Sequence, residues 1–380
     1  MNILHIGKYY PPYFGGIENF MADLLPYQVR LGHSVSCIVH NHKNCSLTSE
    51  ETRERVSIIR VGTILKFLFT PISPSFGLHL SRLIESSKPD LIHVHMPNVS
   101  AYWLLLLNNC DHVPLVIHWH SDVDFPKSNW LLNLAYGVYR PLEQALLEKC
   151  HSIVVTSKPY LDSSKPLEGW KDKAVTIPLG IEAETENISV LRENISWHKS
   201  ARIRLLCVGR LSYYKGHQVL LRAMALTANA SLIIVGEGKM RKVLEQQIRN
   251  LNIGNSVKIS GTIPPSDLKI LYSKCDCLVL PSTERTEAFG VVLLEAMRSA
   301  KPAIASDVPG SGMSFVVKDG VTGLIFKNNN SQDLARAIVE LQNDSALLHR
   351  MGAAAFARFK DHFTITNVAK KIDLVYENLV

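Results

Sequence analysis

Two glutamates eight positions apart, Glu287 and Glu295, are the most informative residues in the sequence. Glu287 precedes Phe289-Gly290 in a predicted loop at a helix start, and Glu295 falls about two turns into this otherwise apolar helix. A carboxylate among apolar side chains is costly to bury without hydrogen-bond partners, which ribose hydroxyls would supply. The alternative is a capping glutamate followed by a glutamate on a solvated helix face.

Arg210 and Lys215 form a second candidate pair, since Arg210 lies just beyond a predicted strand and Lys215 follows it at a helix start. Two cations at the carboxyl end of a strand can neutralise a diphosphate leaving group without a metal ion, as cleavage of a sugar–phosphate bond requires. Surface arginines and lysines are common, so this pair gains weight only from the motifs around it.

Gly15 and Gly16 follow the first predicted strand and begin a helix. Glycines let the backbone approach a ligand closely, and a helix N-terminus presents free N–H groups to phosphate. The alternative is a plain turn between strand and helix. No GxGxxG pattern occurs here, so the dinucleotide-binding fingerprint is absent from this turn.

His120 ends the predicted strand PLVIHWH. A histidine at the carboxyl end of a strand can donate a hydrogen bond to a sugar oxygen or take part in a proton relay. His93, His95 and His118 are either packed in the core or support a site from behind.

Asp122 and Asp124 resemble the paired aspartates that hold a divalent cation against a leaving diphosphate. Arg210 and Lys215 already provide positive charge for that purpose. We therefore predict no metal site and no cofactor.

The elements that position these residues alternate between short β-branched runs and amphipathic stretches, which is typical of parallel sheets flanked by helices. A chain of 380 residues is long for one hydrophobic core and suits two such α/β units. Ligands of open α/β sheets bind beyond the carboxyl ends of the strands. Strands are predicted at 2–7, 35–40, 57–61, 91–95, 114–119, 152–156 and 174–177, then from 203 and at 231–235, 256–260, 277–280 and 302–305; helices are predicted from Gly16 and at 215–228 and 239–251.

The composition is that of a globular protein, with 46% hydrophobic and 20% charged residues. No apolar run approaches the roughly 18 residues needed to cross a bilayer, and no signal peptide is recognised. Seven scattered cysteines without a CxxC pair indicate reduced thiols and a cytoplasmic location. The net charge is +7, but the sequence shows no basic stripe of the kind found in nucleic-acid-binding proteins.

Segment 53–88 carries a net charge of +4, from six basic and two acidic residues, among many hydrophobic side chains. Two interpretations stay open: core packing with a few solvated charges, or docking on an anionic membrane leaflet that holds a lipid-linked acceptor. The hydrophobic residues concerned are Ile64, Leu65, Phe67, Leu68, Phe69, Phe76 and Leu78.

Glu287-x7-Glu295, with Phe289-Gly290 between the acids and LLEAM around the second, resembles the E-x7-E signature of the retaining family 4 glycosyltransferases. Further motifs of that family occur in its order along most of the chain: GGIE, HVH, IPLGIE, VGRL followed by KG, VGEG and DGVTGL. The resemblance implies an α/β fold of the GT-B type, in which two Rossmann-like domains face a central cleft.

Two series of predicted strands and helices, separated at 182–202 by a stretch with few apolar residues and no strong period, predict the domain boundaries, and the resemblance implies the position of the last helix. An N-terminal acceptor domain is expected over 1–180, a linker over 181–202 and a nucleotide-sugar domain over 203–365. The last residues, 366–380, are expected to form a helix that returns to the N-terminal domain.

Residue roles follow from the same resemblance. Arg210 and Lys215 would bind the donor diphosphate, Glu287 would accept hydrogen bonds from sugar hydroxyls, and Glu295 would bind ribose. His120 would reach the donor sugar. The remaining donor-binding positions are Gly15 and Gly16 near diphosphate or sugar, the backbone of Phe289, Gly290 and Val291, and Gly236 and Ile263 beside the base.

The stretch PGSGMSFVVKDGVTGL is similar to mannosyltransferases of bacterial O-antigen and exopolysaccharide assembly, which implies GDP-mannose as donor and a glycan or polyprenyl-diphosphate-linked glycan as acceptor. Front-face attack, in which the departing phosphate helps to deprotonate the acceptor, is favoured, since no carboxylate is obviously placed as a nucleophile; a covalent intermediate is the alternative. A GT-B-like sugar-nucleotide epimerase and a noncatalytic nucleotide-binding protein are the alternatives.

Overall fold

A computed structural model describes residues 1–13, 15–43, 46–67, 70–123, 130–183 and 196–380, with backbone only for Phe67 and residues 130–135. The chain divides into two compact units. The first comprises Met1–Gly180 together with Ile365–Val380, and the second comprises Ile181–Thr364.

The first unit is built on a largely parallel sheet with flanking helices. Its elements are β1 (Asn2–Ile6), α1 (Gly16–Arg30), β2 (Ser34–His40), β3 (Ser49–Arg53), β4 (Val56–Val61), β5 (Leu65–Phe67), β6 (Thr70–Ile72), α2 (Phe76–Ser87), β7 (Leu91–Met96), β8 (Leu115–Trp119), α3 (Trp130–Lys149), β9 (Ser152–Val155), α4 (Lys158–Ser163) and β10 (Ala174–Thr176). Among the described residues the strand order is β10-β9-β8-β7-β1-β2-β4-β3. Only β3 pairs antiparallel in this sheet, while β5 and β6 form a separate hairpin.

The central strands β7 and β8 are buried along their whole length. Strands of a parallel sheet are covered by helices on both faces, so their sequences carry few exposed polar positions. Histidines nevertheless interrupt both strands, and they lie on the face where α1 packs.

The second unit contains an entirely parallel sheet in the part of the chain that the structure describes, with the order β13-β12-β11-β14-β15-β16. Its elements are β11 (Ile203–Val208), α5 (His217–Ala225), β12 (Ala230–Val235), α6 (Arg241–Asn250), β13 (Val257–Gly261), α7 (Pro265–Lys274), β14 (Cys277–Leu280), α8 (Val291–Arg298), β15 (Ala303–Asp307), α9 (Met313–Val316), β16 (Gly323–Lys327), α10 (Ser331–Asn343) and α11 (Ser345–His362).

The expected linker, 181–202, is only partly described. Residues 184–195 lie outside the described residues, and 196–202 belong to the second unit. There the buried Trp197 donates a hydrogen bond from its indole N–H to the carbonyl of Leu205, at 2.8 Å. This end of the segment is therefore packed against β11.

The last helix, α12 (Ile365–Glu377), belongs to the first unit. It packs against α1 through a 3.1 Å hydrogen bond from the Gln28 amide to the Tyr376 hydroxyl, and against the turn after α1 through a 2.7 Å contact between His33 and Asp373. The first unit is thus built from both ends of the chain.

No helix within the described residues combines the length and the apolarity needed to cross a membrane.

Candidate active site

Lys215 and Glu287 form a largely buried ion pair in the second unit, with 13% and 12% of their side chains exposed. Lys215 lies in the turn after β11, and Glu287 lies in the loop after β14. Because β11 and β14 are neighbours in a parallel sheet, their carboxyl ends bring both residues to the same edge. Ser282 also donates a hydrogen bond to the Glu287 carboxylate, at 3.0 Å.

The charge of Lys215 is maintained by its partner. Burial is the largest influence and would lower the pKa of Lys215, but attraction to the Glu287 carboxylate, the hydrogen bond to it and the nearby Tyr214 together outweigh burial and leave the pKa above its usual value. The site therefore holds a fixed ammonium group, which suits an anionic ligand.

Arg210 lies on the exposed side of the same turn and donates a hydrogen bond to the Tyr214 hydroxyl, at 3.3 Å. The ring of Tyr214 also lies 5.8 Å from the Lys215 ammonium. Both predicted cations thus contact one tyrosine, which the sequence did not single out.

The loop that carries Glu287 is held from behind. The Ser311 hydroxyl donates to the Glu287 carbonyl at 2.5 Å, and the Gly312 N–H donates to the Ala288 carbonyl at 2.7 Å. Phe289 is buried and packs edge-on against Phe363. These contacts fix the backbone just before α8.

Gly290 caps α8 with a φ of 81°, a left-handed conformation that favours glycine. Val291 begins this helix, so the free N–H groups of its first turn lie beside the Glu287 loop. Such a turn can bind oxygen atoms of a phosphate or a sugar.

Glu295 lies on α8 and accepts a hydrogen bond from the Tyr272 hydroxyl of α7. Burial raises the pKa of Glu295 above its usual value. One partner of this carboxylate therefore comes from the protein itself.

Gly236 and Ile263 lie after neighbouring strands of the same sheet. Gly236 has a φ of 147°, and a side chain there would come within 1.9 Å of the Gly209 carbonyl. Ile263 is half-buried between β13 and α7. The turns after β11, β12 and β13 thus run side by side.

The remaining predicted residues lie in the first unit. Gly15 is the N-cap residue of α1 and has an extended backbone conformation, and Gly16 is the first residue of that helix. A side chain at Gly15 would approach the Glu18 carboxylate.

His120 lies just after β8 at the end of a buried group of five histidines. His5 pairs in register with His93, and His95 pairs with His118, across β1, β7 and β8. The rings stack: those of His118 and His120 lie 4.3 Å apart at an angle of 3°.

A chain of hydrogen bonds joins part of this histidine group. The distances are 3.0 Å from His120 Nε2 to His95 Nδ1, 3.1 Å from His95 Nε2 to His5 Nδ1, and 2.8 Å from His5 Nε2 to the Gln28 side-chain oxygen. Burial lowers the pKa of both His5 and His120 to about 3. These rings are therefore neutral at physiological pH.

Nitrogens of His93, His95 and His118 lie within 4.8 Å of one another, close enough to suggest a metal centre. The relative orientation of the three imidazole rings does not suit a metal centre. The His93 and His95 rings are stacked at 7°, and the His95 and His118 rings at 18°. Ligand lone pairs lie in the ring planes, so stacked rings do not converge on one ion.

Asp122 is engaged in the fold, since it accepts hydrogen bonds from the Trp119 indole at 2.8 Å and from the Ser164 hydroxyl at 2.7 Å. Asp124 lies outside the described residues.

Comparison with known families matches both units. The profile "Glycosyltransferase Family 4" matches residues 14–185, and "Glycosyl transferases group 1" matches residues 193–358. The chain is 31% identical to the O-antigen chain mannosyltransferase C of Escherichia coli, over 100% of this chain and 99% of the relative. The chain belongs to glycosyltransferase family 4.

A second relative of this glycosyltransferase is the D-rhamnosyltransferase WbpZ of Pseudomonas aeruginosa, which is 29% identical over 73% of this chain and 71% of its own. Solved structures agree on the fold. Sucrose-phosphate synthase from Thermosynechococcus elongatus has a TM-score of 0.81 at 22% identity and covers 100% of this chain and 98% of its own.

Anabaena HepE, solved in complex with UDP and glucose, has a TM-score of 0.77 at 21% identity, with 100% of both chains covered. The expected α/β fold of the GT-B type is confirmed for this glycosyltransferase.

Sequence reasoning missed several partners of the site residues in the glycosyltransferase: Ser282, Tyr272, Tyr214, Gln28 and Tyr376. Tyr272, Gln28 and Tyr376 reach their partners across contacts between distant parts of the sequence, whereas Tyr214 and Ser282 lie within five residues of the side chains that they contact. The histidines did leave a signal, because His-x-His occurs on two successive buried strands. That spacing places both side chains of each pair on one face of the sheet.

Proposed function

We propose that this glycosyltransferase moves mannose from GDP-mannose, with retention of configuration, to a glycan or lipid-linked glycan during synthesis of a cell-surface polysaccharide. The observation that carries the proposal is the buried Lys215–Glu287 pair at the edge of the second sheet. The relationship to an O-antigen chain mannosyltransferase supports the choice of sugar and acceptor class.

The ammonium of this pair supplies positive charge, which a diphosphate leaving group requires. Lys215 and Arg210 offset the negative charge that grows on the departing diphosphate, and the first turn of α8 adds N–H donors. Glu287 accepts hydrogen bonds from hydroxyls of the transferred sugar. Glu295, held by Tyr272, accepts hydrogen bonds from the ribose.

The acceptor hydroxyl attacks from the face that the diphosphate leaves. A phosphate oxygen takes the hydroxyl proton as the new glycosidic bond forms and the sugar–phosphate bond breaks. His120 contacts a hydroxyl of the reacting sugars. No metal ion is needed, because protein cations and helix N–H groups meet the diphosphate charge.

The relationship to a D-rhamnosyltransferase favours a second donor, GDP-D-rhamnose. D-Rhamnose is 6-deoxymannose, so the two donors differ by one hydroxyl. A site that hydrogen-bonds this hydroxyl discriminates strongly against its loss, because buried polar groups are then left without partners.

The deciding experiment measures nucleotide release with GDP-mannose, GDP-D-rhamnose, UDP-glucose and ADP-glucose, each with and without a lipid-linked glycan acceptor and with EDTA. We expect acceptor-dependent release of GDP from GDP-mannose that EDTA leaves unchanged. Epimerised donor formed without acceptor would favour the epimerase alternative. Activity that is lost in EDTA and restored by Mg²⁺ would overturn metal independence, and thermal stabilisation by GDP without turnover would favour a noncatalytic protein.

We also propose that the β5–β6 hairpin contacts an anionic membrane leaflet. Ile64 is 65% exposed and Leu65 is 48% exposed, and the Lys66 ammonium lies 5.3 Å from the centre of the Tyr9 ring. Phe76 is fully buried and takes no part, while Leu68 and Phe69 lie outside the described residues. An Ile64→Ser/Leu65→Ser variant is expected to sediment less with anionic vesicles than the unaltered chain; equal sedimentation would refute the contact.

A further inference from the structure

The hydrogen-bond chain behind His120 continues beyond His5 to the last helix. The Gln28 amide N–H₂ group donates to the Tyr376 hydroxyl at 3.1 Å, and that hydroxyl contacts Nδ1 of His93. Gln28, His5, His95 and His93 are all buried. This series of hydrogen bonds therefore runs from the edge of the sheet to α12 without exposure to solvent.

Counting protons along this chain fixes its direction. The Gln28 oxygen can only accept, so Nε2 of His5 carries the proton of that bond. A neutral imidazole has one N–H, which leaves Nδ1 of His5 as an acceptor. His95 must then donate from Nε2 to His5, and His120 must donate from Nε2 to His95.

The last nitrogen in the chain, Nδ1 of His120, is left without a proton. It is buried and has no hydrogen-bond partner among the described residues. A buried acceptor without a partner is costly, and a ligand hydroxyl would satisfy it. The sequence suggested that His120 donates a hydrogen bond, whereas this arrangement makes it an acceptor.

We propose that Gln28 is a positioning residue that acts through His5 and His95 to hold His120 in the Nε2–H tautomer, so that Nδ1 accepts a hydrogen bond from a substrate hydroxyl. Tyr376 fixes the orientation of the Gln28 amide by accepting from its N–H₂ group. The inference rests on the proposed function only for the statement that the hydroxyl belongs to a sugar substrate.

The neutral state of the rings supports this count. Burial lowers the pKa of His5 and His120 to about 3 and that of His95 well below its usual value. Each ring therefore keeps a single proton near neutral pH. Nearby histidines are no source of positive charge, since burial also lowers the pKa of His93 and His118.

The test reads the tautomers directly in the full chain labelled with ¹⁵N-histidine, by two-bond ¹H–¹⁵N spectra near neutral pH without substrate. In the unaltered chain we expect Nε2 of His120 to be protonated and Nδ1 to be bare. In Gln28→Met, a substitution of similar length, a substantial Nδ1–H population should appear at His120. A dominant Nδ1–H form in the unaltered chain, or an unchanged His120 spectrum in Gln28→Met, would overturn the proposal.

Matched variants separate hydrogen bonding from packing. His118→Leu removes a ring that stacks on His120 but has no hydrogen-bond partner among the described residues, so the His120 tautomer should stay unchanged. Gln28→Glu keeps an oxygen facing His5 and should restore the Nε2–H form. If Gln28→Met fails to fold, Tyr376→Phe frees the amide to rotate and should produce the same mixed tautomers; pure Nε2–H in that variant would overturn the role of Tyr376.

Kinetics provide the second measurement. Gln28→Met should lower kcat for transfer about tenfold while KM for the donor changes less than twofold, because the nucleotide contacts are intact. An unchanged kcat beside mixed tautomers would overturn the link to the substrate hydroxyl. Failure of the proposed function is recognised separately, since a chain that transfers no sugar can still show the predicted tautomers.

Discussion

The two units of the protein hold their candidate residues in different charge states. In the second unit, Lys215 and Glu287 are charged and paired, and the ion pair keeps the ammonium protonated despite burial. In the first unit, His120 is neutral, and a chain of uncharged groups fixes its orientation. Fixed charge suits a diphosphate, whereas a neutral directed hydrogen bond suits a hydroxyl. Burial thus has different consequences, because one site compensates charge and the other avoids it.

The largest effect is expected from Lys215→Met, which removes the ammonium and leaves the Glu287 carboxylate buried without its cation. Loss of one preorganised electrostatic contact typically lowers kcat by roughly 10²–10³, and we expect the upper end of that range. Initial rates with saturating donor and acceptor measure it. Lys242→Met, at an exposed position of α6, is the control and should be fully active. If Lys215→Met keeps more than a tenth of the normal kcat, the Lys215 ammonium does not have the role in transfer proposed for it.

His120→Ala should have a smaller effect, a fall of about 10² in kcat/KM, at the lower end of the roughly 10²–10³ lost when one preorganised hydrogen-bonding group is removed. The affinity for GDP, measured by calorimetry, should change less than twofold, because the proposed diphosphate contacts come from the second unit. His112→Ala replaces an exposed histidine of the first unit and serves as the control. A large loss of GDP affinity in His120→Ala would contradict the assignment of the diphosphate contacts to Lys215 and Arg210.

Mild acid should lower the stability of the first unit more than that of the second. A histidine whose folded pKa lies below the unfolded value of about 6.5 binds its proton mainly when unfolded, so stability falls as the pH drops from about 6.5 toward the folded pKa. His5 and His120 have folded pKa values of about 3, and burial also lowers the values for His93, His95 and His118.

The second unit has one such described histidine with a printed value, His217, whose pKa burial lowers to about 4. Hydrogen–deuterium exchange of the whole chain at pH 7.5 and 5.5, corrected for intrinsic rates, measures the difference. We expect at least tenfold faster exchange in β1, β7 and β8 at pH 5.5, and little change in β11 and β14. Equal acceleration in both sheets would contradict this expectation.

The smallest effect is expected from Tyr272→Phe, which removes the hydroxyl that holds Glu295. KM for the donor should rise about fivefold with kcat unchanged, since a net hydrogen bond is worth about 1 kcal/mol. Tyr213→Phe, at an exposed tyrosine of the same unit, is the matched control. A fall in kcat with constant KM would place Glu295 in the chemical step and not in ribose binding.

The parallel strands could be predicted because buried strands of this kind are short apolar runs. Strand β3 could not, since its five residues are all exposed and it is defined by backbone pairing with β4. The predicted helix 215–228 begins only at His217, because Gly216 adopts a left-handed φ of 67° and leaves Lys215 in a separate turn.

The positions of the candidate site residues in the fold could be predicted where a motif carried them, but their hydrogen-bond partners could not. The contacts Tyr272–Glu295 and Gln28–Tyr376 join residues on different elements, the second across 348 positions. Periodicity reports which face of an element is buried, but it does not report which polar groups meet there.

The first unit encloses the second along the sequence, because α12 is added to it after residue 364. A ribosome therefore completes the whole second unit before it delivers Tyr376. Folding during synthesis proceeds from the N-terminus as domains emerge. The second unit can reach its final contacts while the chain is still growing, whereas the Gln28 amide has no hydroxyl partner until residue 376 has been made.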